Sequence, residues 1–308
     1  MTAPDALFNT TGIAGAANTA DIERRFGGLE RLYGPMGVAR LRGARILVAG
    51  IGGVGSWCAE ALARSGIGGL ALADLDHVAE SNVNRQIHAL TETLGQAKIL
   101  AMAQRVHGIN PACTMQLIDD FVEPGNVAEL FAGGIDMVID CTDQAQAKIA
   151  MILEARRQGL PIVVCGGAGG KTNPLTLRAG DLSQAVNDAL LAKLRNTLRR
   201  QHGYPKAAPA AGKVKKRVPR MGVRALWFDQ QAVLPELWLR PVEITALAEA
   251  PAHDRDELGQ LAAHAPQGAA LQGLSCAGYG SAVTVTATMG MAAAHEAIHY
   301  LLHGRFAA

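Results

Sequence analysis

A glycine-rich loop near the start of the chain has residue types and spacing suited to holding a phosphate. The run GIGGVGSW, residues 50–57, matches the pattern G-x-G-x-x-G between a predicted strand and a predicted helix. Gly50 suits a tight turn, Gly52 lets the backbone approach a phosphate, and Gly55 allows close packing of the helix. The amides and the positive dipole end of that helix favour an anion. Taken alone, the loop is compatible with NAD as well as with ATP.

An acidic pair follows the second predicted strand, within the run LADLDHVAESNVNRQ. Asp74 ends that strand about twenty residues beyond the glycine loop, where an acidic side chain hydrogen-bonds a ribose hydroxyl. NAD and ATP sites share this contact, so Asp74 does not discriminate between the two nucleotides. Asp76 adds a second carboxylate, for which a dehydrogenase has no evident use.

Arg85 and Gln86, which close the same run, favour ATP. NAD already places its two phosphates on the glycine loop, whereas ATP has β- and γ-phosphates that a planar guanidinium can clamp. Lys98, in the first turn of the next predicted helix, adds a mobile positive charge. Asp143 follows the fourth predicted strand, at the ligand-binding edge of such sheets, and is predicted to hold Mg²⁺. For Asp143 and for Asp140, three residues earlier, capping of the following helix is the alternative.

The elements that would position these residues alternate between strand and helix. Strands are predicted for residues 44–50, 69–74, 114–118, 135–141 and 160–166, and helices for residues 53–65, 97–107 and 146–158. This alternation predicts an α/β fold with a doubly wound, Rossmann-like and mostly parallel sheet. Beyond residue 170 the rhythm changes. Two further strands, an amphipathic helix near 181–201 and a terminal helix near 280–302 are expected to extend the core.

Composition narrows the class of protein. The chain has 308 residues, of which 49% are hydrophobic and 4% aromatic, with 35 Gly, a profile typical of an Ala- and Gly-rich α/β enzyme. Five cysteines with no CxxC pair argue against a disulfide framework and a four-cysteine zinc site, and favour the reducing cytoplasm. The apolar segment 277–302 contains too many polar groups for a bilayer and is predicted to be a buried helix, so no membrane association is expected.

Positive charge is concentrated in one late segment. Residues 193–224 contain eleven Lys and Arg and no acid. Subtracting these from the chain's 29 basic residues leaves 18, against 27 acidic residues, a net charge of −9 for the remainder. Such segregation predicts an anionic partner for the basic segment. The alternative is a solvated loop whose charge only aids solubility.

Several motifs together resemble a known family. GIGGVGSW, LADLDHVAESNVNRQ, GQAKILAMAQRVHGINP and VIDCTD resemble the adenylation domain of the ubiquitin-activating-enzyme-like, ThiF-type superfamily. RFGGLERLYG, NRQIHAL, DDFV, GGAGGKTNP and DALLAKLR resemble, within it, the tRNA threonylcarbamoyladenosine dehydratases. The resemblance implies that ATP activates, as an acyl-adenylate, the carboxylate of the threonylcarbamoyl group on adenosine 37 of tRNA. The neighbouring carbamoyl group then attacks, giving a cyclic product with loss of water.

The same resemblance implies residue roles, cofactors and partners. Asp76 is expected near the metal or the attacking carboxylate, and Arg85, Lys98 and Asp143 are the expected catalytic residues, with Asp143 on Mg²⁺. The residues expected to bind ATP are Gly50, Gly52, Gly53, Gly55, Asp74, Asp76, Asn84, Arg85, Gln86, Lys98, Arg25 and Arg31. The expected tRNA contacts are Lys213, Lys215, Lys216, Arg217 and Arg220. The expected partners are tRNA, a second copy of the chain and cysteine-desulfurase-type sulfur-transfer proteins.

Three parts of the chain follow from these expectations: a flexible tail over residues 1–20, an ATP-binding adenylation core over 21–170, and an extension over 171–308. The extension includes a basic loop at 203–224.

The sequence departs from the Arg-x-x-Arg pattern of related enzymes, whose second arginine reaches a partner subunit's ATP. Here Gly28 stands three residues after Arg25, and Arg31 comes next, so either arginine has that role or a surface salt bridge.

Three other functions fit the sequence less well. An enzyme that adenylates sulfur-carrier proteins would typically have paired CxxC zinc ligands, which this sequence lacks. A more distant alternative is an NAD-dependent oxidoreductase, for which no hydride-transfer constellation is evident. A catalytically silent scaffold is disfavoured by the full set of ATP-site residues.

Cys276, before the terminal helix, is the best candidate for a functional thiol. A tethered nucleophile, however, needs none.

Overall fold

Seven strands form one sheet in the computed structural model, which describes residues 21–206, 218–233 and 279–307. The strands are β1 (Arg45–Ala49), β2 (Gly69–Ala73), β3 (Thr114–Ile118), β4 (Met137–Asp140), β5 (Ile162–Cys165), β6 (Leu177–Asp181) and β7 (Arg224–Phe228). Their order is β3-β2-β1-β4-β5-β7-β6, and all neighbours are parallel except the antiparallel pair β6 and β7. The predicted α/β fold with a doubly wound, mostly parallel sheet is confirmed.

Helices cover both faces of this sheet. Within the described residues they are α1 (Ile22–Gly43), α2 (Gly55–Arg64), α3 (Lys98–Ile109), α4 (Val127–Leu130), α5 (Ala145–Gln158), α6 (Ala189–Gln201) and α7 (Val283–His303). Ile46 and Val48 of β1 pack with α1, α2, α3 and α7, whereas Leu47 and Ala49 pack with α4, α5 and α6. Successive side chains of a strand point to opposite faces of the sheet. A strand that is apolar throughout therefore contributes to the hydrophobic core on each face.

The C-terminal helix α7 is fixed to the half of the chain that contains the glycine-rich loop. A Cβ atom at Gly290 would lie 2.4 Å from the Val54 carbonyl oxygen, so only glycine permits this closeness between α7 and the start of α2. The guanidinium of Arg224 in β7 pairs with the carboxylate of Glu296 in α7 at 2.6 Å, and both side chains are largely buried. Among the described helices, none combines the length and apolar character that crossing a membrane requires.

Two helices differ from the sequence expectation. α1 is not predicted from the apolar pattern, because Gly34, with a φ of 72°, and Pro35 kink it and break its periodicity. The helix expected from residue 181 instead begins at Ala189, since Asp181 caps a short 3-10 turn and Asp188 then caps α6 by accepting from the Leu191 amide. The tail 1–20 lies outside the described residues.

Candidate active site

A cleft of about 320 Å³ opens where β1, β2 and β4 end. Its wall includes Gly50, Asp74 and Thr142, which follow these three strands. β1 and β4 are neighbours in the sheet, and the chain leaves them in opposite directions across it, towards β2 and towards β5. Parallel α/β sheets bind their ligands at such a switch point, beyond the carboxyl ends of the strands.

The glycine loop forms the floor of the cleft. A Cβ atom at Gly55 would lie 1.8 Å from the Gly50 carbonyl oxygen, so this glycine serves the predicted close packing of α2 and does not line the cleft. Gly52 and Gly53 line the cleft, and a Cβ atom at Gly52 would meet nothing within 4 Å. α2 has no side-chain cap at Val54, which leaves amides near the cleft for an anion.

Asp74 ties the end of β2 to the glycine loop. One carboxylate oxygen accepts from the Ile51 amide at 2.6 Å, and the other accepts from the Asp76 amide at 2.9 Å. Burial raises the pKa of Asp74 above its usual range, while the charge of Lys98 and the two amide bonds oppose that shift. Each oxygen has a second lone pair, so Asp74 shapes the loop and still has acceptor capacity towards the cleft.

Asp76 and Lys98 form an ion pair on the cleft wall. The Nζ of Lys98 lies 2.6 Å from Oδ2 of Asp76, and the Lys98 amide donates to the Asp76 carbonyl oxygen at 3.0 Å. Lys98 is buried, whereas the Asp76 side chain is 56% exposed. Both residues are in the expected nucleotide set, but their pairing is not apparent from the sequence.

Arg85 lines the cleft and is oriented by the motif that contains it. Its Nη1 donates to the Ser81 carbonyl oxygen at 2.7 Å and to Oδ1 of Asn84 at 3.0 Å. The indole of Trp57 donates to the Arg85 carbonyl oxygen at 2.9 Å. Asn84 does not line the cleft, and its amide donates to the Ser281 carbonyl oxygen at 3.0 Å. Asn84 therefore connects Arg85 to the segment that precedes α7.

Gln86 contributes an unused acceptor to the cleft wall. Its side chain is only 5% exposed, and its Oε1 has no hydrogen-bond partner among the described residues. An acceptor buried without a donor costs free energy, so such an atom marks where a ligand donor would bind. The ribose hydroxyls and the adenine amino group of ATP are donors of this kind.

Asp143 and Asp140 have different surroundings. Asp143 lines the cleft and is exposed. Asp140 is fully buried, with its Oδ1 3.0 Å from Nζ of the equally buried Lys148. The same oxygen accepts from the amide and the hydroxyl of Thr142, at 3.0 and 2.8 Å. Asp140 thus fixes the turn that carries Asp143, and Lys148 supports it through a contact that residue spacing does not reveal.

The two candidate arginines of α1 do not line the cleft of their own chain. Arg25 donates from Nη1 to the carbonyl oxygens of Gly108 and Ile109, at 2.9 and 2.7 Å, at the end of α3. Arg25 therefore contacts the end of a helix. This contact is neither the surface salt bridge nor the ATP contact that the sequence suggests. Arg31 is exposed beside Gly27 and Gly28. Contact with a partner subunit's ATP stays a prediction.

The cysteines within the described residues pack as apolar groups. Cys58, Cys141 and Cys165 cluster beneath the glycine loop, and the sulfur atoms of Cys141 and Cys165 are 3.8 Å apart. Contact with Cys141 and burial raise the pKa of Cys165, and burial raises that of Cys113 to about 12. Thiols with raised pKa values are poor nucleophiles at neutral pH. Cys276 lies outside the described residues.

Of the five predicted tRNA contacts, one lies within the described residues. Arg220 is exposed just before β7. Lys213, Lys215, Lys216 and Arg217 lie outside the described residues.

Comparisons with known proteins agree with the cleft. The model of the ThiF family matches residues 27–306. The tRNA threonylcarbamoyladenosine dehydratase of Haemophilus influenzae is 46% identical over 193 residues, 63% of this chain and 74% of the relative. That of Escherichia coli is 39% identical over 280 residues, 91% of this chain and 94% of the relative. The crystal structure of the E. coli enzyme in complex with ATP is 36% identical, with a TM-score of 0.72 and coverage of 92% of this chain and 95% of that chain. The chain therefore belongs to the ThiF family and, within it, to the tRNA threonylcarbamoyladenosine dehydratases.

Proposed function

We propose that this protein uses ATP to adenylate the carboxylate of threonylcarbamoyladenosine 37 in tRNA and then cyclises the activated group. The observation that carries the proposal is the cleft, whose wall contains the phosphate-type glycine loop together with Asp74, Arg85, Lys98 and Asp143. Two acidic and two basic side chains at the switch point of the sheet suit a nucleotide with a charged polyphosphate and a metal ion. The ATP complex of the E. coli relative supports the same ligand.

The proposed reaction has two steps. A carboxylate oxygen of the threonyl group attacks the α-phosphorus of ATP, the bond to the bridging oxygen breaks, and pyrophosphate leaves. The adjacent carbamoyl group then attacks the acyl carbon and gives up one proton, and AMP leaves with the former carboxylate oxygen. One water is thereby lost from the nucleoside. Because the second nucleophile is already tethered, its effective concentration is high and no thioester is required.

The side chains of the cleft divide this work. Asp74 and Gln86 hold the hydroxyl and amino donors of the nucleoside, while Gly52 and the start of α2 hold the α-phosphate. Arg85 and Lys98 bind the β- and γ-phosphates and balance the charge that develops on the departing pyrophosphate. Asp76 holds Lys98 at the cleft through an ion pair. A phosphate of ATP would replace the Asp76 carboxylate as the anionic partner of Lys98.

Mg²⁺ fits the donors available. Asp143 is an exposed cleft carboxylate, and Asp76 is a second one once Lys98 turns to a phosphate. No group of three or more His, Cys, Asp or Glu suited to a metal is found in the described ranges. Mg²⁺ is commonly held by one or two carboxylates together with substrate phosphates, so this donor set suffices. When bound, the ion would neutralise phosphate charge.

The remaining partners follow from the same proposal. The basic residues Lys213, Lys215, Lys216, Arg217 and Arg220 contact tRNA phosphates, since the rest of the chain is acidic overall. The enzyme acts as a homodimer in which Arg25 or Arg31 reaches the partner's ATP. Its protein partners are cysteine-desulfurase-type sulfur-transfer proteins. Its compartment is the cytoplasm, where its five cysteines stay reduced.

An exchange measurement tests the proposal. Labelled pyrophosphate should enter ATP when enzyme, Mg²⁺ and threonylcarbamoylated tRNA are present, because formation of the acyl-adenylate is reversible. Unmodified tRNA of the same sequence is the matched control and should support no exchange. Equal exchange with both tRNAs, or neither exchange nor release of AMP with either, would contradict the proposed activation step.

A further inference from the structure

A second cavity, of about 430 Å³, lies beside the nucleotide cleft. Gly169 lines both spaces, and Gly166 of the cleft is followed directly by Gly167 of the second cavity. The two spaces therefore meet along residues 166–169, the segment that follows β5. The expected nucleotide residues account for the cleft, but none of them lines the second cavity.

The wall between the two spaces is held firmly. Asp188 caps α6 through one carboxylate oxygen, and its other oxygen accepts from the Gly167 amide at 2.8 Å. A Cβ atom at Gly166 would lie 2.1 Å from Oδ2 of Asp188, so the two segments are in close contact. The first turn of α6 is thereby fixed to the chain that separates the cavity from the cleft.

A strained residue stands at the edge of this cavity. Asn187 has a φ of 56° and is the one non-glycine residue with a positive φ in the described part of the chain. Its backbone carbonyl oxygen accepts from Nζ of Lys171 at 2.8 Å, and its side-chain amide donates to Oδ1 of Asp229 at 3.0 Å. Such backbone strain persists where surrounding contacts enforce it, and it clusters at ligand sites.

The charged groups of the wall are directed at the protein itself. Lys171 donates to the carbonyl oxygens of Asn187 and Gln230, and burial lowers its pKa. Arg195 donates to the Ala185 carbonyl oxygen at 2.7 Å. The rest of the lining is mostly small or apolar, with Ala185, Val186, Ala189, Leu190, Ala192, Ala232 and Tyr279 beside the polar Gln231. These walls suit a flat, uncharged group better than a phosphate or a carboxylate.

We propose that the second cavity receives the base of the modified adenosine, while its threonylcarbamoyl arm passes over Gly169 into the nucleotide cleft. This inference rests on the proposed function. The arm carries the carboxylate that must reach the α-phosphate, whereas the base is neutral and gains from apolar contact. Proteins that act on a base in RNA commonly take it out of the stack and bind it against aromatic or apolar side chains. A base in this cavity would hold the carboxylate at the cleft without occupying the ATP site.

Filling the cavity tests the inference. In Ala189→Trp, the KM for threonylcarbamoylated tRNA should rise about 10-fold or more, as expected for an obstructed substrate pocket. The affinity for ATP and the salt dependence of tRNA binding should stay at the wild-type values, since neither the cleft nor a phosphate contact changes. Asn196→Trp is the matched control, because Asn196 is exposed on the same helix and does not line the cavity.

A second variant and the wild-type enzyme separate the outcomes. Val186→Trp fills the cavity from the loop that precedes α6 and keeps the test available if Ala189→Trp does not fold. Wild-type exchange activity with unchanged KM in a folded cavity variant would overturn the inference and leave the proposed function standing. A parallel loss of ATP affinity would also overturn it. Absence of both exchange and AMP release in the wild-type enzyme would instead refute the proposed function itself.

Discussion

The Nζ of Lys98 lies 2.6 Å from Oδ2 of Asp76 on the wall of the nucleotide cleft. The lysine is buried and needs a counter-charge, and the half-exposed carboxylate supplies it. In the proposed reaction Lys98 exchanges this carboxylate for a phosphate, which leaves Asp76 available to Mg²⁺. In the proposed reaction the pair would thus couple phosphate binding to metal binding.

Asp76→Asn tests this exchange. Without Mg²⁺ the variant should bind ATP more tightly than the wild-type enzyme, because a negative charge facing the phosphates is removed. With Mg²⁺ it should form the adenylate more slowly, because a metal ligand is lost. Equilibrium titrations of ATP in EDTA and single-turnover rates in Mg²⁺ measure the two effects. Weaker binding of ATP in EDTA would show that Asp76 does not compete for Lys98.

Arg85→Ala should slow the release of pyrophosphate by about 10²–10³, the usual effect of removing one positioned charge donor. The affinity for tRNA should change little, since Arg85 faces the cleft. Arg85→Lys should restore only part of the rate, because an ammonium lacks the planar fork of the guanidinium. Asn84→Ala removes the contact that orients Arg85 and the hydrogen bond to the Ser281 carbonyl oxygen, and it should have a smaller effect. Near-normal pyrophosphate release in Arg85→Ala would remove this residue from the mechanism.

Asp143→Ala should also slow adenylation, and raising the Mg²⁺ concentration should partly restore the rate if the carboxylate binds the metal. Asp140→Asn is the contrasting variant, since it leaves Lys148 buried without its counter-charge. It should lower the free energy of unfolding by about 3–5 kcal/mol. Extra Mg²⁺ should not restore its stability. A Mg²⁺-independent defect in Asp143→Ala would argue for a role other than metal binding.

The positions of the site residues were predictable to the extent that topology fixes them. Asp74 and Asp143 follow parallel strands, whose carboxyl ends meet at one edge, and both line the cleft. The ion pair of Asp76 with Lys98 and the burial of Lys148 depend on side-chain packing, which residue spacing does not encode. Asn84 satisfies the motif, yet it orients Arg85 from outside the cleft. Such supporting roles emerge only from three-dimensional contacts.

A stability prediction concerns Asp181, which joins the end of β6 to the start of β7. It accepts from the amides of Ser183, Met221 and Gly222, at 2.9, 2.9 and 2.7 Å. Burial alone would raise the pKa of Asp181, but these hydrogen bonds lower it overall. Its stabilising effect is therefore complete above the ordinary carboxyl pKa of 3.8 and is lost as pH falls through the lower value of the folded state.

Asp181→Asn should consequently lower the free energy of unfolding at neutral pH by about 1.5–3 kcal/mol, the range for hydrogen bonds to a charged group. The difference from the wild-type protein should shrink at a pH below 3.8, the ordinary carboxyl pKa, where the carboxyl of the unfolded chain is protonated. Urea unfolding at the two pH values measures this change. An equal difference at both would mean that the charge of Asp181 contributes nothing.

The basic segment supplies a prediction about tRNA. Replacing Lys213, Lys215, Lys216 and Arg217 by Ala should weaken tRNA binding and flatten the slope of log affinity against log salt by up to about 3. ATP affinity should stay unchanged, because the residues proposed to bind ATP belong to the N-terminal half of the chain. Filter binding across a salt series measures the slope. A variant with wild-type affinity and slope would identify the segment as a solvated loop.

The products of one turnover test the central claim most directly. Enzyme, ATP, Mg²⁺ and threonylcarbamoylated tRNA should give AMP and pyrophosphate in equal amounts, together with a nucleoside lighter by one water. The same mixture with unmodified tRNA should give none of these products. Formation of ADP and phosphate, or loss of water from the nucleoside without consumption of ATP, would contradict adenylation of the carboxylate.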